Sequence, residues 1–158
     1  MTKFETYINR LPADLIKTLK DCMQDAKYHP EGSVYNHIEL VFNFADTHYP
    51  GDINLLVSAI FHDLGKPETT RLRVKNGVER ITHYGHEIVS LKYIDAHIDK
   101  FMDLGIDKDT VYAMCKNHMK AHLFKSGQIK KKVKLEAFEN LPDFKGIMEF
   151  NLCDAGGR

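Results

Sequence analysis

The chain has 158 residues, 43% hydrophobic and 28% charged, proportions that suit one soluble domain built on a single core. Its 22 basic side chains balance its 22 acidic ones. That balance argues against the basic excess of an extended duplex or RNA footprint, so duplex DNA is not an expected partner.

Cys22, Cys115 and Cys153 form no close pair and no CxxC, which reads as reduced thiols in a cytoplasmic protein. The opening MTKFETYINRLP lacks the apolar stretch of a signal peptide, and no run approaches membrane-spanning length, so no membrane association is expected.

Apolar periodicity predicts helix nearly throughout. Residues 1–27 form an N-terminal helical part, with one helix near 13–28, and residues 28–158 form the rest of the same domain. Further helices are predicted near 35–48, 53–64, 84–102, 108–120 and 143–155, with a weaker one near 133–140. The punctuation agrees: Pro50-Gly51-Asp52 ends one helix and offers an N-cap to the next, Gly65 and Pro67 stop the third, and Gly105 follows the fourth. Pro142 stands at the first turn of the last, where its missing N–H is harmless. Between them, RLRVKNGVERIT (71–82) carries Asn76-Gly77, which turns either a small hairpin or a loop. The expected class is all-α, one compact bundle.

Several apolar stripes contain a residue that burial should exclude. His37 accompanies Val34, Ile38, Val41 and Ala45, and Asp63 follows Leu56, Ala59 and Ile60. His118 follows Val111, Met114 and Cys115, and Asn151 and Asp154 accompany Phe144, Ile147 and Met148. Nine histidines in all cluster at 29/37, 62, 83/86 and 118/122, with His48 and His97 apart. A buried carboxylate without a cation costs several kcal/mol. Two readings stand open: each residue is a satisfied core or capping group, or several converge on a divalent ion whose charge reverses that cost. An imidazole and carboxylate set without thiolate suits Mn, Fe, Co, Ni or Mg. Cys115 and Cys153 read as buried thiols filling space. For His86 the periodicity does not choose a side, because its helix is apolar on two.

The blocks YHPEGSVYNH (28–37), SAIFHDLGK (58–66), HYGHEIVS (83–90), CKNHMKAH (115–122) and LCDAGGR (152–158) follow one another in an order that resembles the HD-domain metal-dependent phosphohydrolases. Among these, the chain is most similar to the HD domain of bacterial CCA-adding tRNA nucleotidyltransferases. The likeness covers residues 28–158 and implies an HD-domain helical bundle. It implies His37, His62, Asp63 and Asp154 as ligands of a first metal, and His86 and His118 as ligands of a second metal or of substrate phosphate. Lys66 resembles the lysine that neutralises phosphate charge, and Glu31, with His29, resembles residues at the site mouth. The nucleotidyltransferase domain of those enzymes has no counterpart in these 158 residues, so nucleotide addition is not expected.

The resemblance implies hydrolysis of a phosphomonoester or 2′,3′-cyclic phosphodiester of a nucleotide or RNA end. Asp63 would orient the attacking water, Lys66, His86 and His118 would stabilise the transition state, and His86 or His118 would protonate the leaving oxygen. Two alternatives stay open: a nucleoside mono- or triphosphate hydrolase, and a module that binds metal and nucleotide without turnover. The run Ile129–Lys134 is the one basic patch, read as a solvated face or as a guide for phosphate.

Overall fold

The computed structural model describes residues 1–158. Helices α1 (Lys3–Ile8) and α2 (Ala13–Asp21) lead into α3 (Val34–His48), α4 (Ile53–Phe61) and a single turn α5 (Lys66–Thr69). An antiparallel hairpin, β1 (Arg71–Lys75) and β2 (Val78–Thr82), precedes α6 (His86–His97) and a 3₁₀ segment (Ile98–Leu104). Helices α7 (Lys108–Lys125), α8 (Lys132–Glu139) and α9 (Phe144–Gly156) complete the chain. No helix is long and apolar enough to cross a membrane.

Helix α4 is the axis of the bundle. Asp52 caps it by accepting from the Leu55 amide, and every residue from Leu55 to Phe61 is buried. A helix apolar on all sides belongs inside a core, and α3, α6, α7 and α9 surround this one. The main core joins Phe42, Leu56, Phe61, Phe101 and Phe150, while Ala121, Phe138 and Ile147 form a small separate cluster under α8.

Several boundaries differ from the periodicity. The helix expected near 13–28 ends at Asp21, and a separate α1 precedes it, closed by a reciprocal Thr2/Glu5 capping box. Residues 22–33 instead run as a connection held by a Met23–Ser33 bridge and a positive-φ Gly32. The Asp25 carboxylate accepts from the Lys27 and Ile81 amides, a local alternative to continued helix. The helix expected over 84–102 tightens into the 3₁₀ segment after His97, and α7 continues past 120 to Lys125. Asn76 and Gly77, both at positive φ, make a hairpin of 71–82.

Gly65 fixes the approach of the α4–α5 turn to α6. A Cβ there would stand 2.4 Å from the His86 carbonyl oxygen and 2.7 Å from the Ser90 nitrogen. The Gly65 amide donates to Ser90 Oγ at 2.9 Å, and that hydroxyl donates to the His62 carbonyl at 2.9 Å. Gly65→Ala must separate the two backbones, so a loss of about 1–3 kcal/mol is expected from urea unfolding. An unchanged midpoint would show that α6 yields without cost.

Candidate metal centre

The C-terminal end of α4 delivers His62 and Asp63 to the middle of the protein. A helix C-terminus carries partial negative charge, which favours a cation there. His62 Nδ1 lies 2.8 Å from the Ala59 carbonyl. Three other buried histidines are held in the same way. Nδ1 of His37 lies 2.8 Å from Glu31 Oε1 and 3.0 Å from the Gly157 carbonyl. Nδ1 of His86 lies 2.9 Å from the His83 carbonyl, and Nδ1 of His118 lies 2.6 Å from the Cys115 carbonyl. Carbonyl and carboxylate oxygens can only accept, so each Nδ1 carries a proton and donates it. Every Nε2 is left to face inward.

These Nε2 atoms gather in two groups joined by Asp63. In the first, His37 and His62 Nε2 are 3.4 Å apart, with Asp63 Oδ2 at 3.5 and 3.2 Å from them and Asp154 Oδ1 at 2.8 and 3.6 Å. In the second, His86 and His118 Nε2 are 3.0 Å apart, with Asp63 Oδ1 at 3.0 and 3.4 Å. Asp63 thus turns one oxygen to each group. All six side chains are buried.

Donor chemistry tests whether these residues suit an ion. With the Nδ1 protons already donated outward, each Nε2 either takes a second proton or offers a lone pair. His86 and His118 cannot both present bare lone pairs to each other at 3.0 Å unless a cation lies between. Both Asp63 oxygens are buried without a directed hydrogen bond. Lys66 Nζ approaches Oδ2 to 2.9 Å, a Coulombic contact outside hydrogen-bond geometry. Such orphaned acceptors in a dry interior are costly, and metal coordination removes the cost. The buried His/Asp clusters can hold metal ions.

The electrostatics carry the same imprint. Burial opposes charge on His62, yet the adjacent Asp63 and Asp154 carboxylates push its pKa up to about 10. Burial likewise opposes charge on His37, and Asp154 and Glu31 outweigh it to raise the pKa. Burial penalises the two carboxylates, but His62 and Lys66 hold Asp63 well below the usual range, and His122 and His37 do so for Asp154. His118 is lowered to about 4, chiefly by burial, with His86 and His62 adding repulsion. Burial also pushes the Cys115 and Cys153 thiols up, and neither joins a ligand cluster.

The other candidates fall around this centre. Glu31 turns inward behind His37, with Oε1 2.8 Å from Nδ1 of both His29 and His37. It therefore orients the His37 ring rather than standing free at a mouth. Burial raises the Glu31 pKa, but hydrogen bonds from His37 and His29 bring it down to about 2. Lys66 is buried, donating to Gln24 Oε1 at 2.6 Å besides its contact with Asp63. Thr69 and Thr70 donate to the Gly65 and Lys66 carbonyls.

His122 is the residue that the periodicity leaves out, because the helix is expected to end at 120. Its Nε2 lies 2.6 Å from Asp154 Oδ2, and its Nδ1 accepts from Asn151 Nδ2 at 3.0 Å. His122 therefore aims the other oxygen of Asp154 at His37 and His62. The i, i+4 spacing to His118 is the signal that would have found it. Arg158 Nη2 stands 3.9 Å from the same Asp154 oxygen, a cation at the rim. Groups that orient ligands are worth 10–100-fold in metal affinity. His122→Ala is expected to weaken binding of Mn²⁺ by about that factor, read by equilibrium dialysis, and wild-type affinity would show that Asp154 orients without it.

No protein-family model matches the chain, and no curated protein is similar to it.

Proposed function

We propose that the chain is a metal-dependent phosphohydrolase of the HD-domain type, acting on a phosphomonoester or 2′,3′-cyclic phosphodiester of a nucleotide or RNA end. The observation that carries this reading is Asp63, whose two oxygens hold no directed hydrogen bond and face two separate sets of histidine Nε2 atoms. The ordered sequence blocks that resemble that family supply the reaction class.

When bound, a divalent ion supplies an activated water and Lewis-acid polarisation of the phosphoryl group; Mn, Fe, Co, Ni and Mg all accept this nitrogen and oxygen set. His37, His62, Asp63 and Asp154 would hold one ion, and Asp63, His86 and His118 a second ion or the substrate phosphate. The chain's own contribution is orientation. Backbone carbonyls lock three imidazoles, and Glu31 with the Gly157 carbonyl locks the fourth. Asp63 is held near His62, His86 and Lys66 so that its charge is fixed before substrate arrives, which avoids reorganisation during the reaction. Arg158, beside the half-buried His122, places a cationic group at the edge where a phosphate would enter.

The test is turnover of bis-p-nitrophenyl phosphate, p-nitrophenyl phosphate and 2′,3′-cAMP by metal-stripped protein, with Mg, Mn, Co and Ni restored singly. Metal-restored hydrolysis that Asp63→Ala loses supports the reading, and the preferred ester separates phosphodiesterase from phosphatase. Silence with every metal and ester would overturn it.

A further inference from the structure

On the far side of α7 from the histidines, α7, α8 and the connection between them enclose a groove of about 610 Å³. Lys116, Lys120, Lys130, Lys131 and Lys134 line it, and no carboxylate does. None of these five lysines makes an ion pair or a side-chain hydrogen bond, in contrast to Lys132 and Lys145, which pair with Glu136 and Glu149. In a chain of zero net charge this is a local concentration of unneutralised cations.

Lys130, Lys131, Lys132 and Lys134 crowd the beginning of α8, whose first turn has no acidic residue and whose N-cap makes no side-chain bond. Cations at the positive end of a helix dipole are unfavourable, and an anion there relieves both the dipole and the mutual repulsion. Leu123, Ile129, Phe138 and Leu141 share the lining with these lysines. Cationic and apolar side chains lining one groove suit a ligand that is charged along one edge and flat and apolar along the other.

We propose that this groove binds a single strand of nucleic acid, with phosphates on the lysines and bases against the apolar side chains. Lys116 and Lys120 stand one helical turn apart, about 6 Å along α7, so they can serve successive phosphates of an extended strand. Five free cations exceed the charge of one mononucleotide, which favours several linked phosphates. The concave shape excludes a flat bilayer. Lys116 lies about 200° around α7 from His118, so the groove and the metal centre are separated by roughly one helix, about 10 Å. A strand gripped in the groove can pass around α7 and present its end to the centre. That last link rests on the hydrolase reading; the binding does not.

The experiment uses the full chain in EDTA, with binding of a fluorescent uridine octamer followed by anisotropy between 50 and 200 mM salt. Five phosphate contacts on a single strand predict a log–log salt slope of about −3.5, at about −0.7 per contact. Reversing Lys130, Lys131 and Lys134 to Glu, all exposed positions, should reduce that slope by about 2 and weaken binding at least about tenfold. The same variant should keep the wild-type rate on bis-p-nitrophenyl phosphate, which is too small to need the groove. No octamer binding at 50 mM salt, an unchanged slope in the variant, ATP bound as tightly as the octamer, or tighter binding to phosphatidylserine vesicles would each overturn the proposal. Because EDTA abolishes turnover, failure here is distinct from failure of the hydrolase reading, which shows as absent metal-dependent hydrolysis.

Discussion

Asp63→Ala is expected to disable the His37/His62 and His86/His118 groups at once and to lower turnover by about 10³-fold, the upper end of what one preorganised electrostatic group commonly contributes. The reason is geometric. Oδ2 lies 3.2 Å from His62 Nε2 and Oδ1 lies 3.0 Å from His86 Nε2, so one side chain serves two groups of ligands. Substitutions elsewhere should separate them. Asp154→Ala removes an oxygen from the His37/His62 group alone, and His118→Ala removes a nitrogen from the His86 group alone. Elemental analysis after dialysis is expected to show the His37/His62 ion in wild type and His118→Ala, and its loss in Asp154→Ala and Asp63→Ala. Removing Asp63 also leaves the His62 and Lys66 cations buried without their carboxylate, a change that costs about 3–5 kcal/mol when one partner of a buried pair is deleted. Asp63→Asn keeps the shape and separates folding from ligation. If it folds as wild type and still retains the wild-type metal content, the Asp63 carboxylate does not hold the ion.

Those candidate ligands differ in how far the sequence discloses them. His37, Asp63, His118 and Asp154 stand out because each interrupts an apolar stripe, and each is buried within 4 Å of another candidate ligand. His62 could be suspected only from its adjacency to Asp63. Position 86 begins α6 after the positive-φ Gly85, and the buried side of that helix, His86, Ser90, Leu91 and Ile94, mixes polar and apolar residues, so apolar periodicity does not single it out. Tertiary packing selects it, through the close approach of Gly65 to Ser90. The hydrogen bonds behind the ligands are still less legible. The bond of His37 Nδ1 to the Gly157 carbonyl spans 120 positions and needs α9 to lie almost against α3. Gly156 and Gly157 permit that approach, since a Cβ at either would stand 2.2 and 2.4 Å from Phe44 and Val41 atoms. The fold class was readable because it depends on periodicity repeated over whole helices. Its ends were not: residues 22–33 leave the helical course to place Gln24, Asp25, His29 and Glu31, and only their distant partners show why.

Metal binding near pH 7 is expected to release at least one proton per first-site ion, the one on His62. Without an ion, the cation demanded by Asp63 and Asp154 is supplied by protons on His62 and His37, both raised above the ordinary imidazole value, His62 to about 10. Only neutral imidazole ligates, so an ion must displace the His62 proton, and its apparent affinity should rise about tenfold per pH unit below about pH 10, more steeply wherever His37 is protonated too. His118, lowered to about 4, is already neutral and adds no proton. Titration calorimetry of Mn²⁺ in buffers of different ionisation enthalpy counts the protons directly. Fewer than one released would mean that His62 and His37 do not carry the charge. The same groups set the pH dependence of the metal-free fold. The raised His62 and His37 contribute stability that is complete below about pH 6.5 and lost as pH climbs, through about 10 for His62. The lowered His29, His83 and His118, each near 4, act in the opposite sense: unfolding takes up protons between about pH 6.5 and 4, so stability falls on acidification through that window. Melting temperature in EDTA should therefore peak near pH 6.5. Saturating metal, which occupies His62 and His37 in place of protons, should abolish the alkaline decline and leave the acid one. An alkaline decline that persists with metal bound would separate those two histidines from the ion.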